Sequence, residues 1–176
     1  DVKVTVLEPS ESVLPFVDGE LVDEFLHDLR DRGVTIRFRA NAATIERRGA
    51  DACFVQLDDG RQVWSEMILF AAGRQGAVGR LDLHAAGLTA DARGRIAVDP
   101  VTFRTAVPHI FACGDVVGFP SLASTSMEQG RTAACHAFGA PPPATDQAFP
   151  LGIYAVPELS AVGLTEEEAR KQGIAY

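Results

Sequence analysis

The chain has 176 residues, 47% of them hydrophobic, which is enough for a real core and argues against disorder. Its net charge of −8 argues against nucleic acid and anionic membranes as partners. No apolar run approaches the roughly 18–20 residues of a membrane span, and no segment reads as a signal peptide.

Lys3–Leu7 is a short β-branched run that ends in Glu8-Pro9. It reads as a buried parallel strand with an acid at its carboxyl end. In dinucleotide-binding folds that position holds the carboxylate that bonds the adenosine ribose; a solvated strand-end residue is the other reading of Glu8. Gly19–Asp31 follows, with Leu21, Val22, Phe25, Leu26 and Leu29 at helical spacing and Gly33 as a stop signal. Val34–Phe38 then completes a β-α-β unit.

From Ala43 the character changes. Ala43–Arg47, Cys53–Leu57 and Gln62–Ser65 are short strands, and Asp58-Asp59-Gly60 is a hairpin turn between the last two, so an antiparallel meander is predicted. Met67–Ala72 is fully apolar and reads as a strand running into Gly73-Arg74, where open α/β sheets bind ligands. Arg74 is either a phosphate partner or a surface arginine after a tight turn.

Between Gly76 and Val107 the signals weaken to a short apolar stretch at Leu81–Gly87, a turn at Asp91–Gly94 and a strand at Ile96–Val98. This reads as a connector. Pro108 leads into a strand over Ile110–Cys113, then Gly114-Asp115, a Gly/Pro loop, and a helix from about Ser121 or Leu122 to Gly139.

A glycine lets backbone approach a ligand, an aspartate accepts hydroxyl hydrogen bonds, and a helix start offers free N–H groups and a positive dipole end. Ile110–Phe138 is therefore a candidate site for a nucleotide-like cofactor. Pro141-Pro142-Pro143 marks a boundary. Beyond it lie a strand over Ile153–Val156 and a capping box, Thr165 with Glu168, that opens a short helix before Gly173.

Cys53, Cys113 and Cys135 form no CxxC or metal spacing and read as reduced, mostly buried structural thiols of a cytoplasmic protein. The four histidines show no metal or triad spacing, and neither a catalytic residue nor a metal ligand is assigned. The chain opens at Asp1, without methionine and inside a strand-like run, and it stops in a helix-like segment, so a piece of a longer polypeptide is expected.

The ordered motifs VTVLE, LFAAGR, TAVPHIFACGDV and IYAVPELSAVGLTEEEA resemble the flavoprotein disulfide-reductase family over essentially the whole chain. Within it, LPFVDGELVD, AAGRQG, GDVVGFPSLASTSMEQGRTAA and GIYAVPELSAVG are most similar to the transhydrogenase branch. Dihydrolipoamide dehydrogenases more typically show methionine and histidine around the positions of Ser121 and Ser124.

The resemblance implies an α/β fold in three parts. Residues 1–73 would be the later part of a Rossmann-like NAD(P) domain with the inserted meander. Residues 74–146 would be the returning part of an FAD domain, and 147–176 the start of an α+β dimerisation domain. It also implies FAD and NAD(H)/NADP(H) as cofactors, a homo-oligomer, and an Si-specific transfer of hydride between NADPH and NAD.

Gly114 and Asp115 would meet the ribityl chain, and Ser121, Leu122, Ala123 and Ser124 the pyrimidine side of the flavin. Glu8, Gly73 and main-chain groups near Ala42 would meet the nicotinamide nucleotide. Tyr154 with Pro157-Glu158 resembles a family segment near the dimer interface, with core packing as the preferred reading. Two other readings stand beside this one: a dihydrolipoamide dehydrogenase-type disulfide reductase, signalled by an upstream CxxxxC pair, and a non-catalytic, cofactor-free piece.

Overall fold

The computed structural model describes residues 2–49, 51–142 and 150–176. Its elements run β1 (Thr5–Leu7), α1 (Gly19–Asp31), β2 (Thr35–Arg37), β3 (Ala42–Arg47), β4 (Cys53–Leu57), β5 (Gln62–Ser65), α2 (Ala123–Phe138), β6 (Leu151–Ile153), β7 (Leu159–Ala161) and α3 (Glu166–Lys171). Two short 3-10 turns, Leu83–Ala86 and Gly114–Val117, precede α2. The chain divides into two compact units, Asp1–Ala71 with Gly152–Tyr176, and Ala72–Leu151.

In the first unit β1 and β2 pair in parallel, Thr5 opposite Thr35 and Leu7 opposite Arg37, with α1 between them in the chain. The helix forms because Leu21, Val22, Phe25, Leu26 and Leu29 recur at helical spacing, and Val22 and Leu26, one turn apart, are the positions it buries. It ends at Arg32, followed by Gly33 at φ +84, a left-handed conformation that costs glycine little. Val17, Val22 and Leu26 form one core cluster, with Ile36, Phe38 and Ile153 packed against it. Truncating Leu26 to alanine there would cost about 2–5 kcal/mol.

The antiparallel meander is present as β3-β4-β5. Its tight turn rests on Gly60 at φ +85, and on Asp59, whose carboxylate accepts from the Arg61 N–H at 2.9 Å and from Arg61 Nε at 2.6 Å. The facing pair Phe54 and Trp64 stacks with centroids 5.5 Å apart. A second cluster, Ala40, Val55 and Leu57, is covered by Leu7, Val63 and Ile68. At the carboxyl end of the unit β6 pairs with β7, and the capping box of α3 is complete: the Glu168 N–H donates to Thr165 Oγ1 at 3.2 Å and the Thr165 N–H to Glu168 Oε2 at 3.0 Å.

The second unit carries α2 and the connector. Asp91 folds its turn by accepting from the Arg93 and Arg95 N–H groups, both at 2.8 Å. Asp99 does the same for the next bend, from the Thr102 N–H and hydroxyl at 2.8 Å each. Both carboxyls sit below the usual carboxylate range. For Asp91 the main cause is the Arg95 N–H; for Asp99 it is the Thr102 N–H, followed by the hydroxyl. The backbone at Gly76 and Gly94 crosses so closely that a Cβ on Gly76 would lie 2.0 Å from the Gly94 carbonyl oxygen.

Three apolar runs read as strands are not strands. Met67–Ala72 has no ladder partner among the described residues, and Met67, Leu69 and Phe70 are 83%, 88% and 75% exposed. Ile96–Val98 is reduced to a bridge between Ile96 and Ala90, and Ile110–Cys113 to one between Phe111 and Arg104. A β-run becomes a strand only where another strand meets its hydrogen bonds, and among the described residues these runs find at most a single bridge.

The strand expected over Ile153–Val156 is displaced to β6, and Tyr154 is 92% exposed rather than packed in a core, with Pro157 and Glu158 also exposed. The cysteines are not buried either: Cys113 is exposed, Cys53 and Cys135 half-buried. The boundary expected at 146–147, and Pro143 of the breaker, lie outside the described residues.

Candidate functional site

Glu8 and Ala42 belong to the first unit. Glu8 is half-buried where β1 ends, its N–H donating to the Arg37 carbonyl at 2.9 Å and its carbonyl accepting from Ala40 at 3.0 Å. Those bonds extend the β1-β2 pairing by one step and fix where the side chain leaves the sheet. Its Oε1 accepts from the Ser10 N–H at 2.8 Å, so the acid folds its own loop back over the strand end.

Across that loop the Arg39 N–H donates to the Ser10 carbonyl, and its guanidinium meets Glu11 at 2.7 Å. Arg39 holds this place at φ +49, a region non-glycine residues rarely adopt. Ala42 opens β3, exposed and opposite Leu57, with a register slip before Thr44.

The remaining candidates lie in the second unit. Gly73 stands at φ +89 with open space where a Cβ would point. The next residue, Arg74, reaches Asp115: Nη2 lies 3.0 Å from Oδ2. The guanidinium read either as a phosphate partner or as a plain surface arginine is thus an ion-pair partner of the candidate ligand-binding acid.

Gly114 and Asp115 sit in the 3-10 turn Gly114–Val117 rather than in an open loop. Gly114 is buried at φ +81, and a Cβ there would meet Ser126 Oγ at 3.1 Å, so only glycine lets the turn lie against α2. Its N–H donates to Gln129 Oε1 at 2.7 Å. Gly118 ends the turn at φ +106, with the Arg95 side chain 3.4 Å from where its Cβ would be.

Helix α2 starts at Ala123, one or two residues later than expected, with Leu122 as an extended N-cap. Leucine has no cap acceptor, so Leu122 gives no side-chain cap to the first-turn N–H groups, which point along the axis with the positive dipole end. The Ser121 hydroxyl turns back to the Gly118 carbonyl at 3.2 Å, and the exposed Ala123 and Ser124 leave the helix end unobstructed by large side chains. Thr125 is 1% exposed, and its Oγ1 has no hydrogen-bond partner.

The structure therefore brings Gly114, Asp115 and the 121–124 segment into one unit with Arg74. A carboxylate facing solvent beside an uncapped helix start suits a polyhydroxyl chain joined to an electron-rich ring, which is the chemistry of a ribityl flavin. Dipole contributions at such a terminus run about 0.3–2 kcal/mol, enough to tune a potential but not to create an activity. Among the described residues no three His, Cys, Asp or Glu side chains are grouped to hold an ion. Nor does any described helix have the length and apolarity to cross a membrane.

Sequence reading missed Arg74 as Asp115's partner and Gln129 altogether. The only signal for Gln129 was a polar residue on the helix stripe shared with Thr125, Thr132 and Ala133, all of which the fold buries.

Comparison with known proteins gives a consistent pattern. Residues 1–130 match the model of the pyridine nucleotide-disulphide oxidoreductase family. The soluble pyridine nucleotide transhydrogenase of Mycobacterium bovis (strain BCG / Pasteur 1173P2) is 48% identical over 174 residues, 99% of this chain and 37% of that protein. The one from Marinomonas sp. is 37% identical over 99% of the chain and 37% of its own length.

Among solved structures, LpdA from Mycobacterium tuberculosis superposes with a TM-score of 0.87 at 30% identity, over 99% of this chain and 38% of that one. The HOCl-induced flavoprotein disulfide reductase RclA from Escherichia coli gives 0.83 at 32% identity, over 97% and 39%. The chain thus spans a little over a third of the length of each relative.

Proposed function

The chain belongs to the pyridine nucleotide-disulphide oxidoreductase family, and on that premise we propose that it is part of an FAD-dependent transhydrogenase moving hydride between NADPH and NAD. The observation that carries this reading is the Gly114-Asp115 turn packed on α2, beside an uncapped helix start, in a chain 48% identical to a soluble pyridine nucleotide transhydrogenase. In the proposed layout residues 1–73 contribute to NAD(P) binding, 74–146 to FAD binding and 147–176 to a dimerisation domain. The working protein is a cytoplasmic homo-oligomer, a dimer or higher, and its hydride transfer is Si-specific.

Bound FAD would supply the two-electron relay between the nicotinamides. This chain's residues bind and orient. Asp115 would accept from ribityl hydroxyls, Gly114 would permit their approach, and Ser121 and Leu122, with Ala123 and Ser124 of the first turn of α2, would face the pyrimidine edge. Glu8 accepts from the adenosine ribose, with Gly73 and the main chain near Ala42 against the nicotinamide nucleotide.

A carboxylate at the ribose favours the free 2′-hydroxyl of NAD over the 2′-phosphate of NADP. Arg39, on the same pair of strand ends with its guanidinium in an exposed ion pair with Glu11, is a charge available to a 2′-phosphate. NAD(H) therefore binds more tightly than NADP(H), without excluding it.

The test is the full-length protein carrying these 176 residues. It should purify yellow and reduce thio-NAD with NADPH without any disulfide substrate; a colourless protein, or one with no such transfer, overturns the reading. The resemblance to RclA, named as a flavoprotein disulfide reductase, favours one alternative, NADH-linked reduction of lipoamide-type disulfides. Turnover confined to a disulfide would select it. The 176-residue chain by itself, lacking a glycine-rich pyrophosphate turn, is expected to show no flavin absorbance.

A further inference from the structure

We propose that Gln129 is a positioning residue for the flavin site: through one buried hydrogen bond it sets the direction of Asp115 relative to the start of α2. The inference rests on the FAD reading above and goes beyond it, because Gln129 is buried and acts through Gly114.

Gln129 is 3% exposed. A buried amide side chain costs free energy unless it is hydrogen-bonded, whereas an apolar residue of similar size would stabilise the same position by its burial alone. Its Oε1 accepts the Gly114 N–H at 2.7 Å, from 15 residues away. That N–H opens the 3-10 turn, where helical geometry supplies no acceptor and where Cys113, the N-cap residue, gives no side-chain cap. Gln129 is thus the cap of a turn on which its own helix packs.

The consequence is geometric. The Cys113–Gly114 peptide plane is fixed from α2, and Asp115 is the next residue, its Oδ2 held in turn by Arg74. Gln129 lies seven residues past Leu122, about 10 Å along the helix axis. One rigid helix therefore carries both the uncapped N-terminus and the anchor for the acid. Ser126, between them, leaves room only for glycine at 114. With the acceptor removed, the turn keeps its sequence but loses its register to the helix start.

The test uses the full-length protein and compares Gln129→Leu, Gln129→Glu and Thr132→Val. Thr132, 7% exposed on the same helix face, controls for the loss of a buried polar group away from the turn. FAD affinity is measured by fluorescence titration of apoprotein, with apoprotein melting temperature and the flavin visible spectrum beside it. Gln129→Leu should weaken FAD binding at least tenfold and shift the flavin bands, at a melting temperature like that of Thr132→Val. Gln129→Glu, which keeps an acceptor, should stay within about threefold of the parent.

Wild-type affinity in Gln129→Leu, or equal losses in Gln129→Leu and Thr132→Val, overturns the proposal while leaving the FAD reading intact. A parent that binds no FAD overturns both. Should Gln129→Leu fail to fold, Gln129→Asn, which withdraws the acceptor by one methylene, carries the same comparison.

Discussion

Arg74 Nη2 stands 3.0 Å from Asp115 Oδ2, so the glycine-arginine step after one apolar run and the glycine-aspartate step after another meet at a single ion pair. With 80% and 40% of the two side chains exposed, the pair contributes little to stability, about 0–1 kcal/mol. Its effect is on direction, since it occupies one oxygen of the carboxylate. Arg74→Met in the full-length protein should leave the melting temperature nearly unchanged and raise the FAD dissociation constant several-fold. Arg74→Lys should fall between. Flavin fluorescence on dilution checks the order.

Glu8→Ala should lower the ratio of NAD to NADP affinity by about tenfold, ~1.4 kcal/mol, mostly by weakening NAD. The Ser10 N–H loses its acceptor in the same variant, so Glu8→Gln, which keeps one, separates the charge from the loop. Titrating each nucleotide against the variants by calorimetry decides it. An unchanged ratio removes Glu8 from the ribose.

Gly76→Ala should destabilise the second unit by about 2–4 kcal/mol, because the new methyl meets a backbone carbonyl that has no rotamer to yield. Gly79→Ala, where nothing lies within 4 Å, should stay within about 0.5 kcal/mol. Urea unfolding of both variants gives the contrast.

The turns at Asp91 and Asp99 carry a pH dependence with a definite sign. Both carboxyls titrate lower in the folded chain than in the unfolded one, chiefly through N–H donors. Their stabilisation is complete above the unfolded value, about 3.9, and is lost as pH falls below it through the folded values. Hydrogen exchange of peptides spanning 90–104 should accelerate on acidification in that window, after correction for intrinsic rates. In Asp91→Asn with Asp99→Asn the extra acceleration should disappear.

Elements whose causes are local were legible in the chain. The bounds of α1 follow from its apolar spacing and Gly33, the meander from alternating runs and Asp-Gly, and the α3 start from Thr165 and Glu168. The Met67–Ala72 and Ile110–Cys113 runs misled because apolar, β-branched composition describes an affinity for strands and not the presence of one. The partners of Gly114 and Asp115 were illegible for another reason. A glutamine on a helix and an arginine after a glycine become functional only when folding brings them to the same turn, and no spacing rule encodes that.

Met67–Ala72 has a consequence for how the polypeptide behaves in a test tube. Six uncharged residues without proline, their large side chains mostly in water, match the composition of segments that stack in register with identical copies. A run suited to the middle of a sheet becomes an adhesive edge when no strand among the described residues pairs with it. The 176-residue chain should therefore self-associate as its concentration rises, with MILFAA as the seam, and a lysine in place of Phe70 should keep it dispersed.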